Sequence, residues 1–182
     1  MSNPESPHGG DLDLQRLTQP DEAQLQGLAE LLVDCVAGGA SISFMHPLPL
    51  PQALAFWRKV ADDVSRGDRA LLVAHDAQGI CGTVQLVLAQ PPNQPHRADL
   101  AKMLVHRRAR RRGIGEALMR AAEALARDCG KSLLVLDTVV GSAAERLYGR
   151  LGWHSVGIIP GYALLPQGGL CDTHYFYRDL RS

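Results

Sequence analysis

The chain has 182 residues, of which 46% are hydrophobic and 21% are charged, which is typical of a single soluble globular domain. The 19 basic and 19 acidic residues cancel to a formal net charge of zero, whereas a general nucleic-acid-binding protein usually carries a basic excess. No run of about 18 apolar residues occurs, so no segment is predicted to span a membrane.

The N-terminal residues 1–10 are polar, include Pro4 and Pro7, and lack the basic and apolar regions of a signal peptide. We expect a flexible tail there, followed by one domain over residues 11–182 of a cytoplasmic protein. The four cysteines are expected to be reduced, as is usual in the cytoplasm, because none lies near another in the sequence and no disulfide framework or zinc-ligand spacing is visible. They are Cys35, Cys81, Cys129 and Cys171.

The first half of the chain is predicted to contain one strand, two helices and a β-hairpin. Pro20 and Asp21 are helix-start signals, and the leucines that follow them recur at helical spacing. Residues 76–79 form turns readily and lie between two apolar runs, which is typical of a hairpin. The predicted elements are a strand at residues 11–17, helices at residues 21–36 and 52–65, and strands at residues 69–75 and 80–88.

The second half of the chain is predicted to alternate strands with helices. Residues 133–136 are an unbroken aliphatic run, which is typical of a strand that is covered on both faces. The predicted elements are strands at residues 98–105, 133–136, 153–159 and 173–180, and helices at residues 114–129 and 143–150. We therefore expect a mixed α/β fold of the α+β class, with a central mixed sheet of six or seven strands and helices on both faces.

A turn rich in arginine and glycine separates the strand at residues 98–105 from the next helix. Such a turn exposes backbone N–H groups, and the helix dipole adds partial positive charge, so we expect it to bind a phosphorylated cofactor. The alternatives are a solvated turn and a nucleic-acid patch; the zero net charge and the absence of interleaved aromatic residues disfavour the second. The turn contains Arg107, Arg108, Arg110, Arg111, Arg112, Gly113 and Gly115.

Two segments together resemble those of a known enzyme family. Arg110, Gly113 and Gly115 have the R/Q-x-x-G-x-G/A spacing of the acetyl-CoA loop of the GNAT N-acetyltransferases. The family's A-x-x-L-Y-x-x-x-G-F/W segment is matched by Ala144, Leu147, Tyr148, Gly152 and Trp153. The predicted element order is similar to that of the family over residues 12–180. Within the family, the segments at residues 38–41, 44–45, 97–99, 136–138 and 160–162 look like those of the tabtoxin resistance acetyltransferases.

The resemblance implies acetyl-CoA as the cofactor. It implies that main-chain N–H groups of the turn bind the pyrophosphate, and that main-chain donors of the preceding strand polarise the thioester carbonyl, as an oxyanion hole does. The turn residues are Arg110, Arg111, Arg112, Gly113, Ile114, Gly115 and Glu116, and the strand residues are Met103, Leu104 and Val105. Either Arg107 or Arg108 could reach the 3′-phosphate. No metal-ligand cluster is visible, and direct transfer needs no metal.

The implied reaction is acetyl transfer from a thioester to an amine. An alkyl ammonium group has a pKa of about 10.4, so it must lose a proton before it attacks. Asp99 and Asp137 are the candidate bases, and either could instead attract the cation. Tyr148 is the candidate proton donor to the departing thiolate. No serine or cysteine with a partner histidine can be identified, which favours direct transfer over a covalent acetyl-enzyme.

Three functions fit these residues. The first is an N-acetyltransferase for a small amine or an amino-acid-like molecule, with Phe44, Met45, Tyr162 and His174 as candidate acceptor lining. The second acts on protein N-termini or lysines, and the third is a non-catalytic acyl-CoA sensor. Because Tyr148 and both aspartates are present, the sequence favours an enzyme over a sensor. We expect a small-molecule amine as the partner, with no nucleic acid and no membrane, and we leave a homodimer open.

Overall fold

The computed structural model describes residues 12–181. The predicted tail at residues 1–10 and the first residue of the first predicted strand, Asp11, lie outside the described residues. The elements in chain order are β1 Asp13–Leu17, α1 Glu22–Ala37, α2 Leu50–Ser65, β2 Arg69–Asp76, β3 Gly79–Val87, β4 Arg97–Val105, α3 Ile114–Asp128, β5 Leu133–Val139, α4 Ala143–Arg150, β6 His154–Leu164 and β7 Leu170–Asp179. A short 3-10 turn at Arg107–Ala109 lies between β4 and α3.

Within the described residues, the strands form one seven-stranded sheet in the order β1-β2-β3-β4-β5-β7-β6. Neighbouring strands are antiparallel except β4 and β5, which are parallel. Buried side chains of α3 and α4 pack on one face of the sheet, and those of α1 and α2 pack on the other. The expected mixed sheet with helices on both faces is therefore confirmed.

The sheet opens between its two parallel strands. β4 and β5 pair only at Arg97 with Leu133, Ala98 with Leu134, and Asp99 with Val135. Beyond Asp99, β4 continues along β3, whereas β5 continues along β7. The two strands therefore diverge and leave an opening in the middle of the sheet.

A β-bulge lies on β4 at the edge of this opening. Three steps on β4, from Ala101 to Leu104, face two steps on β3, and Lys102 has a positive φ of 51°. Before the bulge Leu100 packs on the α3 face, whereas after it Leu104 packs on the α1 and α2 face. A bulge leaves its extra residue out of the ladder, so it can re-aim a side chain.

Two strands extend well beyond their predicted C-terminal ends. β5 continues through Asp137 to Val139 because these residues pair with β7, although Asp137 and Thr138 are polar, unlike residues 133–136. β6 continues to Leu164, and an irregularity in its pairing with β7 between Ile159 and Ala163 accommodates Pro160 and Gly161. Proline is tolerated on an edge strand, and β6 is the edge of this sheet.

One buried polar contact fastens α3 to the segment that follows α4. The indole Nε1 of Trp153 donates a hydrogen bond of 2.9 Å to Oε1 of Glu123, and Nε of Arg178 lies 3.6 Å from the other carboxylate oxygen. Trp153 and Glu123 are both buried. Loss of the indole donor would leave one oxygen of a buried carboxylate without its partner.

We expect Trp153→Phe to lower the free energy of unfolding by about 1–3 kcal/mol through this contact, in addition to the loss of ring volume. Trp57→Phe is the matched control, because Trp57 is fully buried but its Nε1 has no hydrogen-bond partner among residues 12–181. Urea denaturation should show the larger loss for Trp153→Phe. Equal losses for the two variants would show that the indole contact to Glu123 contributes nothing.

Candidate active site

A cleft of about 1010 Å³ occupies the opening between β4 and β5. One wall is β4, and the opposite wall is formed by the end of β5 and the first turns of α4. The arginine–glycine turn before α3 lies at one mouth. Residues 38–45 and the β6–β7 hairpin lie at the other mouth. The cleft therefore joins the two faces of the sheet, and its volume is at the upper end of the range for ligand pockets.

The turn before α3 presents unpaired backbone donors to the cleft. No atom of residues 12–181 accepts a hydrogen bond from the N–H groups of residues 111–116, and the first bond of the helix runs from Ala117 N to Gly113 O. Gly113 is the N-cap with a φ of 76°, and no side chain caps the helix. Free N–H groups at a helix N-terminus form an anion site.

The structure separates the arginines of this turn by their ion pairs. Nε of Arg107 donates to Asp34 at 2.8 Å, and Arg108 and Arg112 both pair with Asp76. Burial favours the protonated form of Asp76, but hydrogen bonds from Arg108 and the Gln78 amide outweigh it and lower the pKa of that carboxyl. Three of the arginines are therefore occupied by carboxylates.

Arg110 and Arg111 are the arginines of the turn that line the cleft, and neither forms an ion pair within the described part of the chain. Arg112 does not line the cleft, and its main-chain N–H has no hydrogen-bond acceptor among residues 12–181. Glu116 lines the cleft, and its carboxylate pairs with Arg120 at 2.8 Å. The guanidinium groups of Arg110 and Arg111 are thus available to a phosphate.

The three residues that are predicted to polarise the thioester carbonyl lie on one wall of the cleft. Met103, Leu104 and Val105 line the cleft on β4. Because β4 has no strand partner on its β5 side after Asp99, its outward main-chain groups face the opening without a ladder partner. The thiol of Cys35, which also lines the cleft, donates a hydrogen bond of 3.6 Å to the carbonyl oxygen of Val105. Burial raises the pKa of Cys35 to about 12, so this thiol stays protonated and is not a nucleophile at neutral pH.

Tyr148 is held on the opposite wall by aromatic packing. Its ring is buried on α4 between Trp153 and Phe176, with centroid distances of 6.0 and 6.1 Å. The residue lines the cleft, and no atom of residues 12–181 is a hydrogen-bond partner of its hydroxyl. Burial first, and then the charge of Asp137, raise the pKa of Tyr148 above its ordinary value. The phenol is therefore a neutral hydrogen-bond donor facing the cleft.

The two predicted carboxylates lie on the same face of the sheet but differ in their surroundings. Asp137 is exposed in the cleft and accepts a hydrogen bond of 2.8 Å from Thr173 Oγ1. Asp99 does not line the cleft; Arg97 and Gln90 both donate to its carboxylate. Of these two aspartates, Asp137 is thus the one that an acceptor in the cleft can reach directly.

The sequence profile of the acetyltransferase (GNAT) family matches residues 40–153, which is more than half of the chain. The chain belongs to the GNAT acetyltransferase family. The Xenopus tropicalis protein "Probable N-acetyltransferase 14" is 29% identical over 157 residues, which are 80% of this chain and 74% of that protein.

Solved structures share the fold. The Salmonella typhimurium protein yncA, solved with its cofactor acetyl-CoA, has a TM-score of 0.76 and 19% identity, with 94% of this chain and 95% of that chain covered. A ribosomal-protein-alanine N-acetyltransferase from Brucella melitensis has a TM-score of 0.77 and 20% identity, with 91% and 98% covered. Acetyl-CoA is the acetyl donor of the GNAT family.

The residues of the cleft fit that donor. Free N–H groups at residues 111–116 and two unpaired arginines suit a pyrophosphate, and the unpartnered edge of β4 suits a carbonyl oxygen. Phe44, Met45 and Tyr162 line the other mouth, on the acceptor side that the sequence predicts. The hydroxyls of Tyr162 and Tyr175 lie 2.9 Å apart.

The phenol of Tyr175 is influenced by the charges of both carboxylates. The hydrogen bond with Tyr162 contributes most to raising the pKa of Tyr175 to about 12, followed by burial and the charge of Asp137, and Asp99 adds a smaller effect. Both carboxylates therefore act on one point of the acceptor side, although only Asp137 lines the cleft.

His174 does not line this GNAT cleft, because its ring faces α4. Its Nδ1 lies 2.7 Å from Oε1 of Glu145, and its Nε2 lies 2.6 Å from Oγ of Ser155. The hydrogen bond with His174 lowers the pKa of Glu145. This arrangement corrects the expectation that no serine has a partner histidine. Since neither Ser155 nor Glu145 lines the cleft, the group does not lie between the two mouths.

Lys102 lines the cleft, but nothing in the sequence singles it out except that it is a charged residue inside an apolar strand. Its position depends on the bulge, which is a tertiary feature. Among residues 12–181, no three His, Cys, Asp or Glu side chains are grouped so that they could hold a metal ion. No helix in the same range is long and apolar enough to cross a membrane.

Proposed function

We propose that this GNAT protein transfers an acetyl group from acetyl-CoA directly to the amine of a small or amino-acid-like acceptor. One observation carries the proposal: a single cleft is lined by the free N–H groups at one mouth, by Tyr148 on its wall, and by Asp137 on the acceptor side. The likeness of several segments to the tabtoxin resistance acetyltransferases supports an amino-acid-like acceptor.

The donor is assigned to the α3 mouth. The main-chain N–H groups of Arg111, Arg112, Gly113, Ile114, Gly115 and Glu116 bind its pyrophosphate, and the side chains of Arg110 and Arg111 add charge. The sequence also predicts a main-chain contact from Arg110, but its N–H already donates to the carbonyl oxygen of Arg107. Of Met103, Leu104 and Val105, the N–H of Val105 is the donor assigned to the acetyl carbonyl. The N–H of His106 donates to Cys81 on β3, so alternation along the strand directs the N–H of Leu104 toward β3 and that of Val105 toward the opening. When bound, acetyl-CoA supplies the acetyl group as an activated thioester.

The acceptor nitrogen must be deprotonated at the other side of the cleft. Asp137 takes that proton, directly or through water, and Thr173 holds the carboxylate in place. The nitrogen–carbon bond forms as the carbon–sulfur bond breaks. Tyr148 then donates a hydrogen bond to the departing sulfur, as its neutral hydroxyl allows. Asp99, already paired with Arg97, attracts the cationic acceptor at longer range.

A screen with acetyl-CoA tests this function and its alternatives. Small amines, amino acids, peptides with free N-termini and lysine-containing peptides are each supplied, and free thiol and acetylated product are both measured. We expect thiol release with small acceptors and little with peptides. Turnover with peptides alone would favour a protein acetyltransferase, and tight acetyl-CoA binding without turnover would favour a sensor.

We expect Asp137→Asn to lower kcat at saturating amine by about 10²-fold and to shift the pH profile to higher pH, where free amine is already available. Asp99→Asn is the matched control, and we expect it mainly to raise the KM for the amine, because this carboxylate lies outside the cleft. Rate–pH profiles of both variants measure this difference. Wild-type kinetics for Asp137→Asn would remove the proposed base.

A further inference from the structure

The side chain of Lys102 enters the cleft from the bulge of β4. Its Nζ donates a hydrogen bond of 3.1 Å to Oγ of Ser43 and lies 5.8 Å from the centroid of the Phe56 ring. These contacts place the ammonium group on the α2 face of the sheet, on the acceptor side of the cleft, opposite the face on which Tyr148 and α3 pack.

Lys102 forms no ion pair with any carboxylate of residues 12–181. An ammonium group has three donors, and the hydrogen bond to Ser43 occupies one of them. The side chain is half-buried, so part of its hydration is lost. Burial first, and then the nearby Arg69, lower the pKa of Lys102, whereas Asp137 opposes the change. A half-buried cation with free donors is a site for an anion.

Backbone strain is concentrated around the same cleft. Within the described chain, Ser43, Lys102 and Arg111 are the non-glycine residues with positive φ, at 77°, 51° and 64°. All three line the cleft. Such conformations cost free energy and persist where the surrounding structure enforces them, commonly at ligand sites. Arg111 belongs to the donor mouth, whereas Ser43 and Lys102 are hydrogen-bonded to each other on the acceptor side.

Lys102, Asp137 and Asp172 line the acceptor side, so it offers both a cation and carboxylates, as the two charges of a zwitterion require. Asp137 suits the ammonium group of an acceptor, but an amine without an anionic group would also meet the positive charge of Lys102. An acceptor with a carboxylate can place that group on Lys102 and its nitrogen toward Asp137. Asp99 lies outside the cleft and is paired with Arg97, so it attracts the ammonium group only at longer range.

We propose that Lys102 binds the carboxylate of the acceptor and so selects amino acids, or other amines that bear a carboxylate, over simple amines. This inference rests on the proposed acetyltransferase function. Ser43 accepts from Lys102, so its own hydroxyl proton is free to donate to the same carboxylate. Lys102 is thereby a specificity residue, and Asp137 remains the base.

The test compares amino acids with the amines that lack only their carboxylate. Methionine is paired with 3-(methylthio)propylamine, phenylalanine with phenethylamine, and lysine with cadaverine. The measured quantity is the ratio of kcat/KM for the acid to kcat/KM for its amine. For the preferred side chain we expect a ratio of at least about 10 in the wild type, which corresponds to one charge-assisted hydrogen bond.

Lys102→Met keeps most of the length of the side chain but removes its charge, so the ratio should fall by about 10–100-fold. Lys102→Arg should retain most of the preference. Lys59→Met is the matched control, because Lys59 is exposed on α2 and does not line the cleft, and its ratio should equal that of the wild type.

Acetyl-CoA affinity, measured by calorimetry for each variant, separates this inference from the proposed function. Equal losses on acid and amine in Lys102→Met would assign Lys102 to catalysis or structure and overturn the inference. The inference would also be overturned if the wild-type protein acetylated simple amines as well as it acetylates amino acids, or if it acetylated no amino acid. Either result would leave the proposed acetyltransferase function in place. A protein that neither binds nor turns over acetyl-CoA would overturn both.

Discussion

Gly113→Asp is expected to weaken acetyl-CoA binding by at least about 100-fold while the fold is retained. The new carboxylate would repel the pyrophosphate and take hydrogen-bond donors from it, and the loss of such charge-assisted contacts costs several kcal/mol of binding free energy. A side chain built at Gly113 meets no atom within 4 Å, so the new residue has space. The φ of 76° is strained for most residues but is among the conformations that aspartate tolerates. The substitution should therefore act on binding rather than on folding.

The carboxylate of the substituted residue would occupy the position of an N-cap. An aspartate at that position accepts from the N–H groups of the first helical turn, here those of Gly115 and Glu116, which are free in the structure. These are the donors assigned to the pyrophosphate. The carboxylate thus competes with the cofactor for the same groups and also repels it.

Gly113→Asn is the matched control, since it has the same shape and tolerates the same backbone conformation without the negative charge. Titration calorimetry with acetyl-CoA should give a much larger Kd for the aspartate variant than for the asparagine variant, with similar thermal unfolding for both. Unchanged affinity in the aspartate variant would remove the turn before α3 from the donor site.

The second large effect is expected for Tyr148→Phe, which should lower kcat by about 10–100-fold with little change in acetyl-CoA affinity, as for one hydrogen bond to a developing charge. A free thiol has a pKa of about 8.5, whereas burial and Asp137 raise the pKa of Tyr148. Full proton transfer from the phenol to the thiolate is therefore uphill. The structure supports hydrogen bonding to the sulfur, which is a smaller effect than general-acid catalysis.

The packing of residue 148 should survive this change, because Trp153 and Phe176 contact the ring rather than the hydroxyl. Tyr177→Phe on β7 is the matched control, since Tyr177 stacks on His154 and does not line the cleft. Pre-steady-state rates of thiol release for the two variants distinguish catalysis from packing. A rate for Tyr148→Phe equal to that of Tyr177→Phe would reassign Tyr148 to packing alone.

The order of elements could be predicted from the sequence because it is encoded locally. Apolar spacing marks α1 and α3, and the turn at residues 76–79 marks the hairpin of β2 and β3. The extension of β5 to Val139 and of β6 to Leu164 could not be predicted from the sequence, because both extensions depend on pairing with β7. Strand ends that are fixed by a distant partner leave little signal in their own residues.

Which arginines of the turn are paired with carboxylates could not be predicted from the sequence either. Arg107 is paired with Asp34, which lies 73 positions away, and Arg108 is paired with Asp76, which lies 32 positions away. The sequence shows a cluster of cations but not which of them are neutralised. Only the tertiary contacts leave Arg110 and Arg111 for a ligand.

Two further features depend on tertiary contacts and could not be predicted from the sequence. One is the acceptor-side cation Lys102, and the other is the group formed by Ser155, His174 and Glu145. A bulge that re-aims one side chain is a consequence of pairing with β3, and the three members of the group come from β6, β7 and α4. The two aspartates were recognised but could not be ranked. The pairing of Asp99 with Arg97 and Gln90 outside the cleft is what distinguishes it from Asp137.

Direct transfer across one cleft is tested most directly by a single turnover with enzyme in excess over acetyl-labelled acetyl-CoA and with an acceptor from the screen. We predict that the label moves entirely to the acceptor nitrogen, in equal amount to the thiol released, and that no label is found on the protein at any time. Label that appears first on the protein, on Ser155 for example, or as free acetate, would contradict direct transfer to an amine.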